Sequence, residues 1–93
     1  MLRKKNKLEL LNYIDDVISD TEGTSLVPEL ESYRSKILSG QDSGALLSKM
    51  YYNIQHTALS DRNVCSDRIT DLLQCIDKAN VWYNLRTHLV KSR

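Results

Sequence analysis

The sequence predicts an all-α protein, folded as an antiparallel, up-down four-helix bundle. Apolar residues recur at three- and four-residue spacing through most of the chain, whereas the two-residue alternation of strands is absent. Short polar or glycine-containing segments interrupt this pattern three times, and such short loops bring consecutive helices together in opposite directions. The 93 residues suit one domain, residues 1–93, with one modest core.

The first predicted helix covers about residues 6–21 and ends near Glu22-Gly23. Its acids lie mostly off the apolar side, so the helix is amphipathic. The residues predicted to face inward are Leu8, Leu11, Ile14, Val17 and Ile18.

The second predicted helix covers about residues 26–39. Thr24 and Ser25 precede it as a capping pair, and Pro28 falls in the first turn, where its missing N–H has no partner to lose. Gly40 follows Ser39 as the glycine that commonly ends a helix. The inward residues are Leu26, Leu30, Tyr33 and Ile37.

The third predicted helix covers about residues 44–59, after a polar turn at 41–44. Its inward face carries Leu47, Met50, Tyr51, Ile54 and Ala58. The pair Tyr51-Tyr52 is interpreted as one core ring and one surface ring rather than a stacking platform, because adjacent helical residues point in different directions.

The fourth predicted helix covers about residues 64–80, with Asp61 or Asn63 as its cap. Its inward residues are Cys65, Ile69, Leu72, Leu73, Ile76 and Ala79. Ten residues of one helix would separate Cys65 from Cys75 by about 15 Å, too far for a disulfide. Both cysteines are therefore predicted to be reduced and to act as small apolar residues; without CxxC or nearby histidine spacing, no metal site is expected.

A C-terminal segment, residues 81–93, follows the fourth predicted helix and holds the only tryptophan. Trp82, Leu85 and Leu89 continue the helical spacing, and we expect them to fold back on helices three and four as the anchor of this segment. Four other residues would then face outward as candidate partner-recognition residues: Tyr83, Arg86, His88 and Lys91.

Charge is distributed unevenly along the chain. Residues 1–7 and 86–93 together carry seven cations and no acid, whereas the middle carries six cations and twelve acids, a balance of −6. The basic ends are either solvated helix termini or a surface attracted to an anionic partner, such as inner-leaflet lipid or a membrane protein's cytoplasmic face. The acidic middle argues against nucleic acid.

The expected location is the cytoplasm, because no run of about 18 apolar residues exists and the N-terminal segment is too polar for a secretory signal. Peripheral contact with the inner membrane face remains open.

No motif indicates catalysis. Asp15 and Asp16 are adjacent, so on a helix they point about 100° apart and cannot work as a paired acid and base. His56 has no nucleophile or acid arranged around it, and the loop at 40–44 lacks the strand and lysine of a phosphate-binding loop. We expect no enzyme activity, cofactor or small-molecule substrate.

Two stretches and the C-terminal segment resemble a known family. LLSKMYY at 46–52, ITDLLQCI at 69–76 and the aromatic, basic end are similar to the immunity proteins of pediocin-like bacteriocins, the enterocin A immunity family. The resemblance spans about Leu8 to His88 and lies in hydrophobic spacings. It implies a four-helix protein that lies in the cytosol and protects the producer cell from the bacteriocin. The protein would act through a complex with the bacteriocin and its receptor, the mannose phosphotransferase permease. The resemblance also implies that the C-terminal half decides which bacteriocin is countered.

A second hypothesis is a generic helical adaptor or regulatory module. In that case, a face of the bundle would bind another soluble protein, and the basic ends would have no special role.

Overall fold

The structure, a computed structural model, describes the backbone of residues 4–64 and 66–91 and the side chains of residues 4–64 and 66–79. It contains four helices: α1 (Lys4–Asp20), α2 (Leu26–Leu38), α3 (Gly44–Ser60) and α4 (Asp67–Lys91). The described residues contain no strand. The prediction of an all-α, four-helix protein is confirmed.

All four helices contribute to one apolar core. The inward residues predicted for the second and third helices are buried or, for Tyr51 and Ala58, partly buried against the core. In α4, Leu73 and Cys75 are also partly buried against it. The side chains with no exposed surface include Leu10, Ile14, Val17, Leu26, Leu30, Ile37, Leu47, Met50, Ile54, Leu72 and Ile76.

The inward face of α1 differs from the prediction at two positions. Leu8 was expected in the core but is 53% exposed, whereas Leu10 is fully buried. Two residues along a helix are separated by about 200°, so these two leucines point in nearly opposite directions. Ile14 and Val17 lie within about 40° of Leu10, and this group defines the buried face.

Two glycines adopt positive φ where the chain changes direction, Gly23 at +83° and Gly40 at +91°. Gly40 follows α2 as predicted. Its N–H donates to the carbonyl of Ile37 at 3.1 Å, and the N–H of Gln41 donates to that of Lys36 at 2.9 Å. The left-handed residue thus provides partners for the last carbonyls of the helix.

The capping side chains are not all those predicted. Ser25 makes no cap hydrogen bond to α2, and its hydroxyl instead donates to Asp61 at 2.8 Å. Ser43 caps α3, accepting from the N–H of Leu46 at 3.2 Å, and Ser66 accepts from the N–H of Arg68 at 3.1 Å at the start of α4. Asp61 accepts instead from the N–H of Asn63, which, with Ser25, lowers the pKa of its carboxyl.

Three side-chain hydrogen bonds connect α2 and its preceding turn to α3 and its following residue. They join Ser25 to Asp61, Glu29 to Thr57, and Tyr33 to Asn53. From one hydrogen bond to the next, the residue number rises by four along α2 and falls by four along α3, so the two helices run in opposite directions. This supports the predicted antiparallel order for that helix pair.

The fourth helix starts and ends later than predicted. It begins at Asp67 and stays helical to Lys91, where the prediction covered residues 64–80. Residues 81–91, predicted as part of a separate C-terminal segment, are helical and continue α4 to Lys91. Cys65 precedes α4 and lies outside the described residues.

Candidate interaction surface

Helices α1 and α4 are joined by polar contacts near the C-terminal end of α1. Asp20 accepts a hydrogen bond from the hydroxyl of Ser66 at 2.7 Å, and Nε of Arg68 lies 3.2 Å from the same carboxylate. Nη1 of Arg68 also lies 3.5 Å from Asp16. Toward the other end of α1, one narrow cleft is lined by Asn6, Glu9, Cys75, Lys78 and Ala79.

These contacts show that α1 and α4 run in opposite directions, because residue 20 lies beside residues 66–68 and residue 6 lies beside residues 78–79. The start of α1 therefore lies next to the part of α4 that follows Ala79. Residues 80–91 of α4 would add about 18 Å of helix at 1.5 Å per residue. The described start of α1 and the C-terminal part of α4 thus lie at the same end of the bundle.

The helix order also sorts the charges. We define the acidic half as residues 13–34 and 53–74, and the basic half as residues 4–12, 35–52 and 75–79. Among the described residues, the acidic half has three arginines, Arg34, Arg62 and Arg68, against nine acids: Asp15, Asp16, Asp20, Glu22, Glu29, Glu31, Asp61, Asp67 and Asp71. The basic half has three acids, Glu9, Asp42 and Asp77, against six lysines: Lys4, Lys5, Lys7, Lys36, Lys49 and Lys78.

The described halves therefore carry −6 and +3. Four of the six lysines in the basic half are exposed, at positions 4, 5, 49 and 78. Lys36 is partly buried, with its Nζ 5.6 Å from the centre of the Tyr33 ring. When opposite net charges lie at the two ends of a protein, its electric field orients it relative to a charged partner.

Two exposed leucines lie in the basic half. Leu8 is 53% exposed and Leu38 is 54% exposed. A shallow, open surface around Leu8 is lined by Lys4 and Lys5, together with Glu9 and Asn12. The basic half thus combines cations with accessible apolar side chains.

Cys75 lies half-buried in the cleft between α1 and α4, and its thiol is free. Burial, and after it the charge of Glu9, raise the pKa of this thiol to about 11, while the charge of Lys78 opposes the shift. The cleft has a volume of about 20 Å³, room for about one water molecule. The position fits the predicted role of Cys75 as a boundary apolar residue rather than a nucleophile.

The residues considered for catalysis do not converge. Asp15 and Asp16 contact different helices, through Arg34 of α2 and Arg68 of α4. His56 is exposed on α3. Within residues 4–64 and 66–79, no group of three or more His, Cys, Asp or Glu side chains is placed to hold a metal ion.

The predicted recognition and anchor residues all lie on the C-terminal part of α4. The backbone there is helical, but the side chains of Trp82, Tyr83, Leu85, Arg86, His88, Leu89 and Lys91 lie outside the described residues. Their roles stay predictions. Over the described part of the chain, no helix has both the length and the apolarity needed to cross a bilayer.

Sequence reasoning missed the convergence of the basic segments with Lys36, Lys49 and Lys78. The signal was present, because an antiparallel four-helix order places the start of the first helix beside the end of the fourth. Leu8 was missed as a surface residue because it also fits the apolar spacing of α1.

Comparison with known proteins gave no relative: no family model, curated protein or solved structure matches this chain.

Proposed function

We propose that this chain is an immunity protein that protects a bacteriocin-producing cell from a pediocin-like bacteriocin, acting from the cytosol on the complex of bacteriocin and permease. The proposal starts from the resemblance of 46–52, 69–76 and the C-terminal end to the enterocin A immunity family. The four-helix fold implied by that resemblance agrees with the helices observed.

The observation that carries the proposal is the continuity of α4. One helix holds Ile69, Leu72 and Ile76 in the core and continues to Lys91. These buried residues therefore fix the direction of the helix axis through the aromatic and basic residues that follow. That part of the helix is suited to reach a partner at the end of the bundle. A rigid element presents a recognition segment with less loss of conformational entropy than a loose tail.

The test is expression of the full chain in a bacteriocin-sensitive strain that is challenged with a panel of pediocin-like peptides. We expect survival against one or a few of them. Growth inhibition by every peptide, at normal levels of folded protein, would contradict the proposal. A second arm asks whether the encoding gene lies beside a gene for a short peptide with a double-glycine leader.

The alternative, a helical adaptor that binds another soluble protein, is favoured by a different surface. Tyr52 is 76% exposed and Leu59 is 83% exposed. They are seven residues apart on α3, so they share its outward face. If this surface is the binding site, Tyr52→Ser with Leu59→Ser abolishes partner binding, whereas truncation after Tyr83 leaves it unchanged.

A further inference from the structure

The fold gathers cations that are scattered in the sequence. Lys36, Lys49 and Lys78 come from three different helices, yet they lie in the half of the bundle where α1 begins with Lys4 and Lys5. The residues of α4 after Ala79 leave the bundle at the same end, and the sequence there contains no acid. The acids are concentrated in the opposite half.

We propose that the basic half of the bundle binds anionic phospholipid surfaces, with its lysines against the headgroups and Leu8 and Leu38 at the interface. Lysines within a Debye length of an anionic bilayer are each attracted to it, and the attractions add for the lysines at this end of the bundle that come within that distance. The acidic half would then point away from the membrane, because the same surface repels it.

The exposed leucines favour a lipid surface over nucleic acid. An apolar side chain gains little beside a phosphate backbone, but it loses its contact with water at the boundary between headgroups and acyl chains. Leu8 and Leu38 are each more than half exposed, and the surface around Leu8 carries Lys4 and Lys5 beside the single acid Glu9. Lysine and leucine side chains together match the chemistry of an anionic membrane interface.

The inference does not depend on the immunity proposal, because a pure lipid surface contains neither bacteriocin nor permease. Protection of cells and binding to vesicles can therefore succeed or fail separately.

The test is co-sedimentation of the full chain with vesicles of phosphatidylglycerol and phosphatidylcholine, compared with vesicles of phosphatidylcholine alone. We expect binding to the anionic vesicles only, with strong weakening between about 0.1 and 1 M salt as the Debye length falls from about 10 to 3 Å.

Two triple variants separate local charge from net charge. Lys36→Gln, Lys49→Gln and Lys78→Gln remove three charges from the basic half, and Arg34→Gln, Arg62→Gln and Arg68→Gln remove three from the acidic half. At about fivefold per lysine, the first variant should bind roughly a hundredfold more weakly. The second should bind as well as the unchanged protein; if it does not fold, Lys49→Gln and Arg62→Gln replace the two triples.

A matched leucine pair tests the apolar contribution. Leu8→Ser with Leu38→Ser should reduce vesicle binding by about tenfold or more, whereas Leu59→Ser, in the acidic half and 83% exposed, should leave it unchanged. The proposal is overturned by absence of binding to anionic vesicles at 0.1 M salt, or by equal loss in the two triples. It is also overturned if a DNA duplex binds as tightly and the leucine variants change neither affinity.

Discussion

Asp15 of α1 accepts two hydrogen bonds from the guanidinium of Arg34 of α2, one from Nε at 2.7 Å and one from Nη2 at 3.3 Å. This hydrogen bonding and the charge of Asp15 raise the pKa of Arg34. The neighbouring Asp16 contacts Arg68 of α4 instead. Two adjacent acids thus connect α1 to both of its neighbours, because successive helical side chains diverge by about 100°.

The first prediction concerns this ion pair. Both side chains are more than one third exposed, so Arg34→Gln should lower the free energy of unfolding by only about 0.2–1 kcal/mol. Urea unfolding of Asp15→Asn, Arg34→Gln and the double variant forms a double-mutant cycle, which gives the interaction free energy between the two side chains. A coupling energy that stays the same in 1 M salt would contradict a solvent-screened ion pair.

The second prediction concerns Tyr33, whose hydroxyl oxygen accepts a hydrogen bond from the amide of Asn53 between α2 and α3. Tyr33→Phe leaves that partly buried amide donor without this acceptor, which should cost about 1–2 kcal/mol. Tyr52→Phe is the matched control, since Tyr52 is exposed on α3 and should change stability by less than about 0.5 kcal/mol. Equal effects in urea unfolding would mean that the hydrogen bond contributes nothing to α2–α3 packing.

The third prediction compares two leucines of α1. Leu10→Ala removes a fully buried side chain and should cost about 2–5 kcal/mol, whereas Leu8→Ala should cost less than about 0.5 kcal/mol. Both replacements change the same atoms in the same helix, so helix propensity cancels in the comparison. Thermal and urea unfolding give the two values, and a larger loss for Leu8→Ala would reverse the assigned inward face.

The fourth prediction concerns the thiol of Cys75. Because the pKa is raised to about 11, the native thiol should react with iodoacetamide at neutral pH far more slowly than in the unfolded chain. The protonated thiol is favoured in the folded state, so its contribution to stability is present below about pH 9 and is lost as pH rises toward 11.

Peptide mass spectrometry follows the reaction of Cys75 apart from Cys65, since Arg68 provides a tryptic cleavage site between them. A Cys65→Ser chain serves as the control that excludes exchange between the two thiols. Alkylation of native Cys75 at the unfolded rate would contradict its burial against α1. We also expect reducing agent to leave the melting temperature unchanged, because Cys75 is a free thiol.

The fifth prediction concerns the end of α4. Removing residues 84–93 should abolish protection from the bacteriocin while leaving the core helices folded, since Ile69, Leu72, Ile76 and Ala79, the buried residues in the described part of α4, all precede the deletion. The circular dichroism loss should correspond to eight helical residues, 84–91, and no more. Arg62→Gln is the control, because it removes one exposed cation from the acidic half. Full protection by the truncated chain would move the recognition site to the bundle faces.

The sequence by itself determined the helices and most of their inward faces. In α2 and α3, the apolar residues at three- and four-residue spacing predicted that Leu30, Ile37 and Met50 face inward, and all three are buried. The glycine after Ser39 was equally specific, because a left-handed residue at a helix end strongly favours glycine. These features depend on residues within one or two turns of each other, and such local patterns are readable without the fold.

Tertiary structure decided the features that depend on residues far apart in the chain. In α1, both Leu8 and Leu10 fit an apolar stripe, and the positions of α2 and α4 selected Leu10 for the core. Ser25 was predicted to cap α2, but its hydroxyl instead donates a hydrogen bond to Asp61, which is 36 residues away in the sequence. The collection of lysines into one half likewise arises from helix packing, because only the order and direction of the helices determine which distant charges become neighbours.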